Sequence, residues 1–153
     1  MKKTAVSKKN YLFATAFLTI VFFVSASSFA QVKKDEPFTI ENYYKVKWGY
    51  ADEFIDLWKK NHYPLLKKAI QKGDIISVVA QKPMLHGGED TRWDFKVIIV
   101  FKNAVLAFDP DLTTPYKKEL YPDADKLVKD EQHRFELLIS HWDVMIENLD
   151  LSK

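Results

Sequence analysis

The sequence predicts an α+β domain in which two helices pack on one face of a four-stranded antiparallel sheet. Three observations carry this. Apolar residues alternate with polar ones in three or four short runs, they recur at helical spacing in two longer ones, and the runs follow one another as strand, helix, strand, strand, helix, strand.

The first element begins at Phe38. Phe38, Ile40, Tyr44, Val46 and Trp48 point one way and Thr39, Glu41, Tyr43, Lys45 and Lys47 the other, which is a strand with one apolar face. Gly49 ends it. Ala51 to Lys72 follows at helical spacing, with Asp52 and Glu53 in the first turn, Lys72 in the last and Gly73 beyond it, an arrangement that suits the helix dipole and a glycine C′ position. Phe54, Ile55, Trp58, Leu65, Leu66 and Ala69 share an arc of about 120°. Pro64 interrupts it by removing the bond to the Lys60 carbonyl and disfavouring helical geometry at Tyr63, so a kink or break is expected at residues 61–63.

Ile75 to Gln81 reads as the second strand, and Arg92 to Lys102 as the third, with Trp93, Phe95, Val97, Ile99 and Phe101 on one face. Pro83 to Thr91, with Gly87 and Gly88, is the hairpin loop between them. Asn103 to Phe108 is expected as a helical turn, and Asp109 to Pro122, with three prolines, as an irregular connection. The second helix is expected from Asp123 to Ser140, burying Ala124, Leu127, Val128, Phe135, Leu138 and Ile139. Trp142, Val144 and Ile146 alternate with Asp143, Met145 and Glu147, which suits a last strand or a continuing helix. This order is the split βαβ arrangement of ferredoxin-like folds. The sheet face away from the helices carries Ile98 and Val100 among its charges, too apolar for water, and a second copy of the chain is its expected cover.

Residues 1–30 read as an export signal. Lys2, Lys3, Lys8 and Lys9 precede the uncharged run Tyr11 to Val24, and Ser28-Phe29-Ala30 offers a cleavage site after Ala30, so the expected location is periplasmic or secreted. Residues 31–37 read as a flexible leader and 38–153 as the domain. The whole chain of 153 residues has a net charge of +2, but loss of the four leader lysines leaves 19 basic against 21 acidic residues. That balance gives no footprint for nucleic acid, and nothing beyond the signal suggests a membrane. The chain has no cysteine, so neither disulfides nor a lipid anchor are expected, and the core alone must hold the fold.

The chain resembles the dimeric α/β-barrel superfamily, whose ferredoxin-like subunits pair sheet to sheet, over about residues 38–149. The segment Phe54, Trp58, Asn61, His62, Tyr63, Pro64, Leu65 looks like the helical histidine stretch of the ether-degradation accessory proteins in that superfamily. Asn42 and Trp93 are similar to the asparagine and tryptophan lining the substrate cavity of its haem-degrading and cofactor-free monooxygenases. The histidine that haem ligation needs on the second helix is missing from the sheet-facing positions, so no cofactor is expected.

His62 falls within the apolar arc of the first helix and Glu131 within that of the second, so the two can pair between helices and sheet, or serve as a core histidine and a packing-edge glutamate. Asn42 is the one amide on the helix-facing side of the first strand and must find a partner or a ligand. His62, Asn42 and Glu131 are thus the candidate catalytic residues. Tyr44, Trp58, Trp93 and Trp142 are the candidate walls of a cavity between sheet and helices for a small apolar or aromatic molecule. On the other face Glu41, Tyr43, Arg92, Asp94, Lys96, His141 and Asp143 are expected to meet across the dimer. His86, Glu89 and Asp90 in the glycine-containing loop lack zinc-site spacing, Asp109 and Asp111 lack the rest of a calcium loop, and no metal is expected. The sequence supports two readings: an exported homodimer that binds a small apolar molecule, and a cofactor-independent monooxygenase or isomerase with His62 as general acid or base.

Overall fold

The computed structural model describes residues 36–85 and 87–152. The segment expected to be an export signal and most of the expected leader lie outside the described residues, as does His86. The elements are β1 (Phe38–Val46), α1 (Ala51–Asn61), α2 (Tyr63–Lys72), β2 (Ile75–Gln81), β3 (Phe95–Phe101), α3 (Ala104–Ala107), α4 (Thr114–Leu120), α5 (Ala124–Glu136) and β4 (Leu138–Ile146). The strands form one antiparallel sheet in the order β2-β3-β1-β4, the ferredoxin-like order.

Alternation settles the faces. Phe95, Val97, Ile99 and Phe101 of β3 are buried with Tyr44 and Val46 of β1 beneath Phe54, Ile55, Trp58, Leu66 and Ala69 of the helices. The registers place Glu41, Tyr43, Lys96, Ile98, Val79, Trp142 and Val144 together on the opposite face. There the cross-strand pair Tyr43–Trp142 stacks with ring centroids 5.3 Å apart. Val79 and Val144 remain 48% and 38% exposed in the single chain.

The break in the first helical run falls at His62. Pro64 has no N–H to offer the Lys60 carbonyl, and the Tyr121 hydroxyl takes its place, 3.0 Å from that oxygen and 2.9 Å from the Asn61 oxygen. The next turn restarts with Leu65 N–H donating to the His62 carbonyl. α2 ends at Gly73, whose φ of +83° is the left-handed conformation glycine adopts without strain.

Several features differ from the sequence reading. β3 starts at Phe95, because the chain bends at Asp94, whose carboxylate accepts from the Val46 N–H at 2.8 Å. The connection expected to be irregular holds α4, with proline in its first turn. The second long helix stops at Glu136, since Leu138 to Ile146 pairs along β1 and thereby forms the fourth strand. Its apolar arc also points outward. Val128 and Phe135 are 62% and 56% exposed and Ala124 is exposed, because the inward stripe is Leu127, Asp130, Glu131 and Arg134. Asp130 meets Lys60 of α1 at 2.7 Å, which fixes that polar side against α1.

Candidate functional site

Two places on the helix side combine aromatic walls with polar groups. The first lies where β1 and β4 meet the helix break. Tyr44 is packed between Phe54 and Phe95 in the core, and the His141 ring stacks on it at 4.4 Å. His141 pairs with Asp143 at 3.0 Å. Trp58 lies 5.7 Å from the His62 ring and 5.2 Å from Phe95. Its indole N–H acts on the Tyr44 hydroxyl without reaching hydrogen-bond geometry.

Electrostatics at this place disfavour charge. Burial, then the positive charges of Arg134 and Lys117 and the neighbouring His141, push the half-buried His62 down to about 4, so its ring is neutral at neutral pH. Burial pushes the Tyr44 phenol up to about 12 against the opposing pull of Arg134. A neutral histidine and a neutral phenol can exchange hydrogen bonds. With its pKa near 4, His62 is a weak base for proton transfer at neutral pH.

The predicted site residues do not assemble into one cavity. Tyr44, Trp58 and His62 share the helix side, but Tyr44 and Trp58 are 6% and 2% exposed and belong to the packed core. Trp93 and Trp142 lie across the sheet, each against Tyr43, since the bend at Asp94 turns Trp93 over and β4 pairs Trp142 with Tyr43. The Asn42 amide donates to the Val97 carbonyl at 3.1 Å, so the backbone uses it. Glu131 faces Arg134 at 3.5 Å, and no hydrogen bond joins it to His62 among the described residues.

The charged set expected on the open face also divides. Glu41, Tyr43 and Lys96 are there, with the Tyr43 hydroxyl donating to Glu41. His141 and Asp143 face the helices, opposite Tyr44 and Asn42. Arg92 and Asp94 form a clasp at the end of β1: Arg92 is buried, both its Nη atoms donate to the Val46 carbonyl at 3.1 Å, and Nε donates to Glu89 at 2.8 Å. Trp48 covers the guanidinium, 4.1 Å from ring centroid to Cζ. This clasp is fully satisfied and structural.

The second place is a groove between α4 and α5, with a volume of about 560 Å³. Ala124, Leu127, Val128 and Phe135 give it an apolar side, and Tyr121 closes one end. Lys117, Lys118, Glu131 and Gln132 supply its polar atoms. A smaller hollow of about 160 Å³ continues past Tyr121 and Leu127 toward Asn61. Of the residues singled out from sequence as catalytic or ligand-binding, only Glu131 lines the groove.

Sequence reasoning missed this groove because it assigned the apolar arc of α5 to the core. A signal was present. Lys126 and Asp130 pair with each other at i,i+4, a polar spacing on the side that faces α1, and Thr114-Pro115 is a helix start within the supposed loop. No group of three His, Asp or Glu positioned to hold a metal occurs among the described residues, and none of their helices is long and apolar enough to cross a membrane.

No protein-family model matches the chain, and no curated protein matches it in sequence. Solved structures are similar in outline. A dimeric ferredoxin-like protein of unknown function from Bacteroides fragilis has 12% identity over 76% of this chain and 100% of its own, with a TM-score of 0.43. SnoaB, a cofactor-independent oxygenase from Streptomyces nogalater, has 9% identity over 77% and 99%, with a TM-score of 0.44. A dimeric ferredoxin-like protein from an uncultured marine organism has 7% identity over 75% and 92%, with a TM-score of 0.47. The strand order, the single antiparallel sheet and the helices on one face make this chain a ferredoxin-like α+β protein on its own geometry.

Proposed function

We propose that the chain is an exported homodimer that binds a small apolar or aromatic molecule in the groove between α4 and α5. The observation that carries the binding reading is the groove. Its volume of about 560 Å³ falls within the usual range of small-molecule sites, about 300–1,000 Å³, and its walls are predominantly apolar with a few polar atoms at hand. Val128 and Phe135 stand exposed beside one another along the groove, an apolar surface that a ligand would cover.

Pairing of two copies through the open sheet face is supported by the apolar and aromatic strip of Val79, Ile98, Tyr43, Trp142 and Val144. Export rests on the pattern of residues 1–30. The alternative, a cofactor-independent monooxygenase or isomerase, has one observation in its favour, the His141–Asp143 pair stacked on Tyr44. Two others weigh against it: His62 is neutral and weakly basic, and Asn42 is taken up by the backbone.

Calorimetric titration of the purified protein with 1-octanol tests the binding reading. Saturable binding that Val128→Arg removes, with the fold unchanged by circular dichroism, is the expected result. Absence of binding to octanol and to a panel of neutral aromatic compounds would overturn it.

A further inference from the structure

The walls of the groove define the body of its ligand, and the charges around it define the head. Lys117 and Lys118 both line it, both are exposed, and neither makes an ion pair with a described residue. Its one carboxylate, Glu131, is turned to Arg134 at 3.5 Å. Arg134 lies behind the groove wall, 4% exposed, with its guanidinium 4.6 Å from the Phe135 ring centroid and its Nε without a hydrogen-bond partner. Two cations therefore line the apolar surface against one acid, and that acid is turned to the buried Arg134. A buried guanidinium with one long contact to a carboxylate is poorly compensated, and the two lysines of the lining add to the positive potential. His62 reports the same field from the opposite side, since Arg134 and Lys117 are the charges that, after burial, most disfavour its protonation.

From this charge complementarity we infer that the groove takes an anionic amphiphile, a small carboxylate with an apolar body. The carboxylate lies toward Lys117 and Lys118, and the apolar body lies along Leu127, Val128 and Phe135. This inference rests on the binding reading above and adds the charge of the ligand to it.

The test compares octanoate with 1-octanol, which share the apolar body and differ in the head. Octanoate is expected to bind about tenfold more tightly at low ionic strength, equivalent to about 1.4 kcal/mol, as two partly exposed ion pairs allow. The preference should shrink in 0.5 M salt and vanish in the double variant Lys117→Gln, Lys118→Gln. Both positions are exposed, so the fold is not at stake, and an unchanged circular dichroism spectrum serves as the variant's control. Equal affinity for the two probes, or a preference that survives the double variant, overturns the anionic assignment and leaves the binding reading standing. Failure of both probes and of the neutral aromatic panel to bind overturns the binding reading itself.

Discussion

Replacing Arg92 by methionine is predicted to destabilise the protein by about 3–5 kcal/mol, although it lies away from both candidate sites. The side chain is 3% exposed, so its partners lose water as well as Arg92. The Val46 carbonyl loses both of its 3.1 Å donors, and an unsatisfied buried acceptor costs about 1–3 kcal/mol. Asp94, whose side chain is 17% exposed, keeps the Val46 N–H but loses its cationic partner, a charge-assisted bond worth about 1.5–3 kcal/mol. Trp48 loses its cation–π contact, about 0.5–1 kcal/mol at an exposed ring. The Glu89 pair adds little, because that carboxylate is 54% exposed. Together these reach the range measured when one partner of a buried pair is removed. Urea unfolding of wild type and variant at one pH, read as a shift in midpoint with unchanged slope, is the assay. Arg92→Lys should recover only part of the loss, since an ammonium cannot span Val46 and Asp94 as a planar fork does. A loss below about 1 kcal/mol for the methionine variant would refute the assignment of the clasp as structural.

Two further predictions concern the helix break and its end. Because the folded pKa of His62 is pushed down from 6.5 to about 4, the unfolded chain binds a proton that the folded chain refuses between those values. Stability is therefore expected to be full above about pH 6.5 and to fall as pH drops toward 4. Thermal melts at pH 7 and pH 5 should differ in wild type and differ less in His62→Gln; an unchanged difference would remove His62 as its source. At Gly73, a Cβ would meet nothing within 4 Å, so Gly73→Ala tests the backbone alone. The φ of +83° predicts a loss of about 1 kcal/mol, with Gly73→Asn losing less, measured by urea unfolding.

The architecture was legible where a single period ran uninterrupted. β2 and the α1–α2 break at Pro64 fall where the pattern of Ile75 to Gln81 and Ala51 to Lys72 places them, and β1 starts at Phe38 as read but ends at Val46, before Trp48. Faces were less legible than elements. Trp93 continues the alternation of β3 in sequence, yet the bend at Asp94 turns it to the open side, and the anchoring of that bend to Val46 is a tertiary contact. Register is likewise not written in one strand: His141 and Asp143 reach the helix side because β4 pairs Tyr44 with His141, and a slip of one residue would reverse them. On α5 the apolar arc was read correctly as an arc but given to the wrong neighbour. The sheet is already covered by α1 and α2 residues, and the polar stripe of α5 has charged partners on α1, so apolar residues were left facing out. His62 lies at the helix break expected at residues 61–63 and outside the groove, whereas Tyr121 and the two lysines of α4 became visible as groove residues only once the chain was folded.

Tyr121 belongs both to the helix break and to the groove. Its hydroxyl holds the frayed carbonyls of Lys60 and Asn61, and its ring closes one end of the groove. The end wall is thus moored to the end of α1, whose Phe54, Ile55 and Trp58 are buried in the core. A surface depression built in this way begins in the receptive shape, so affinity there follows from fit and charge with little lost to rearrangement. The same mooring makes the helix break a listening post: any guest that tilts the Tyr121 ring must also disturb the turn that carries His62.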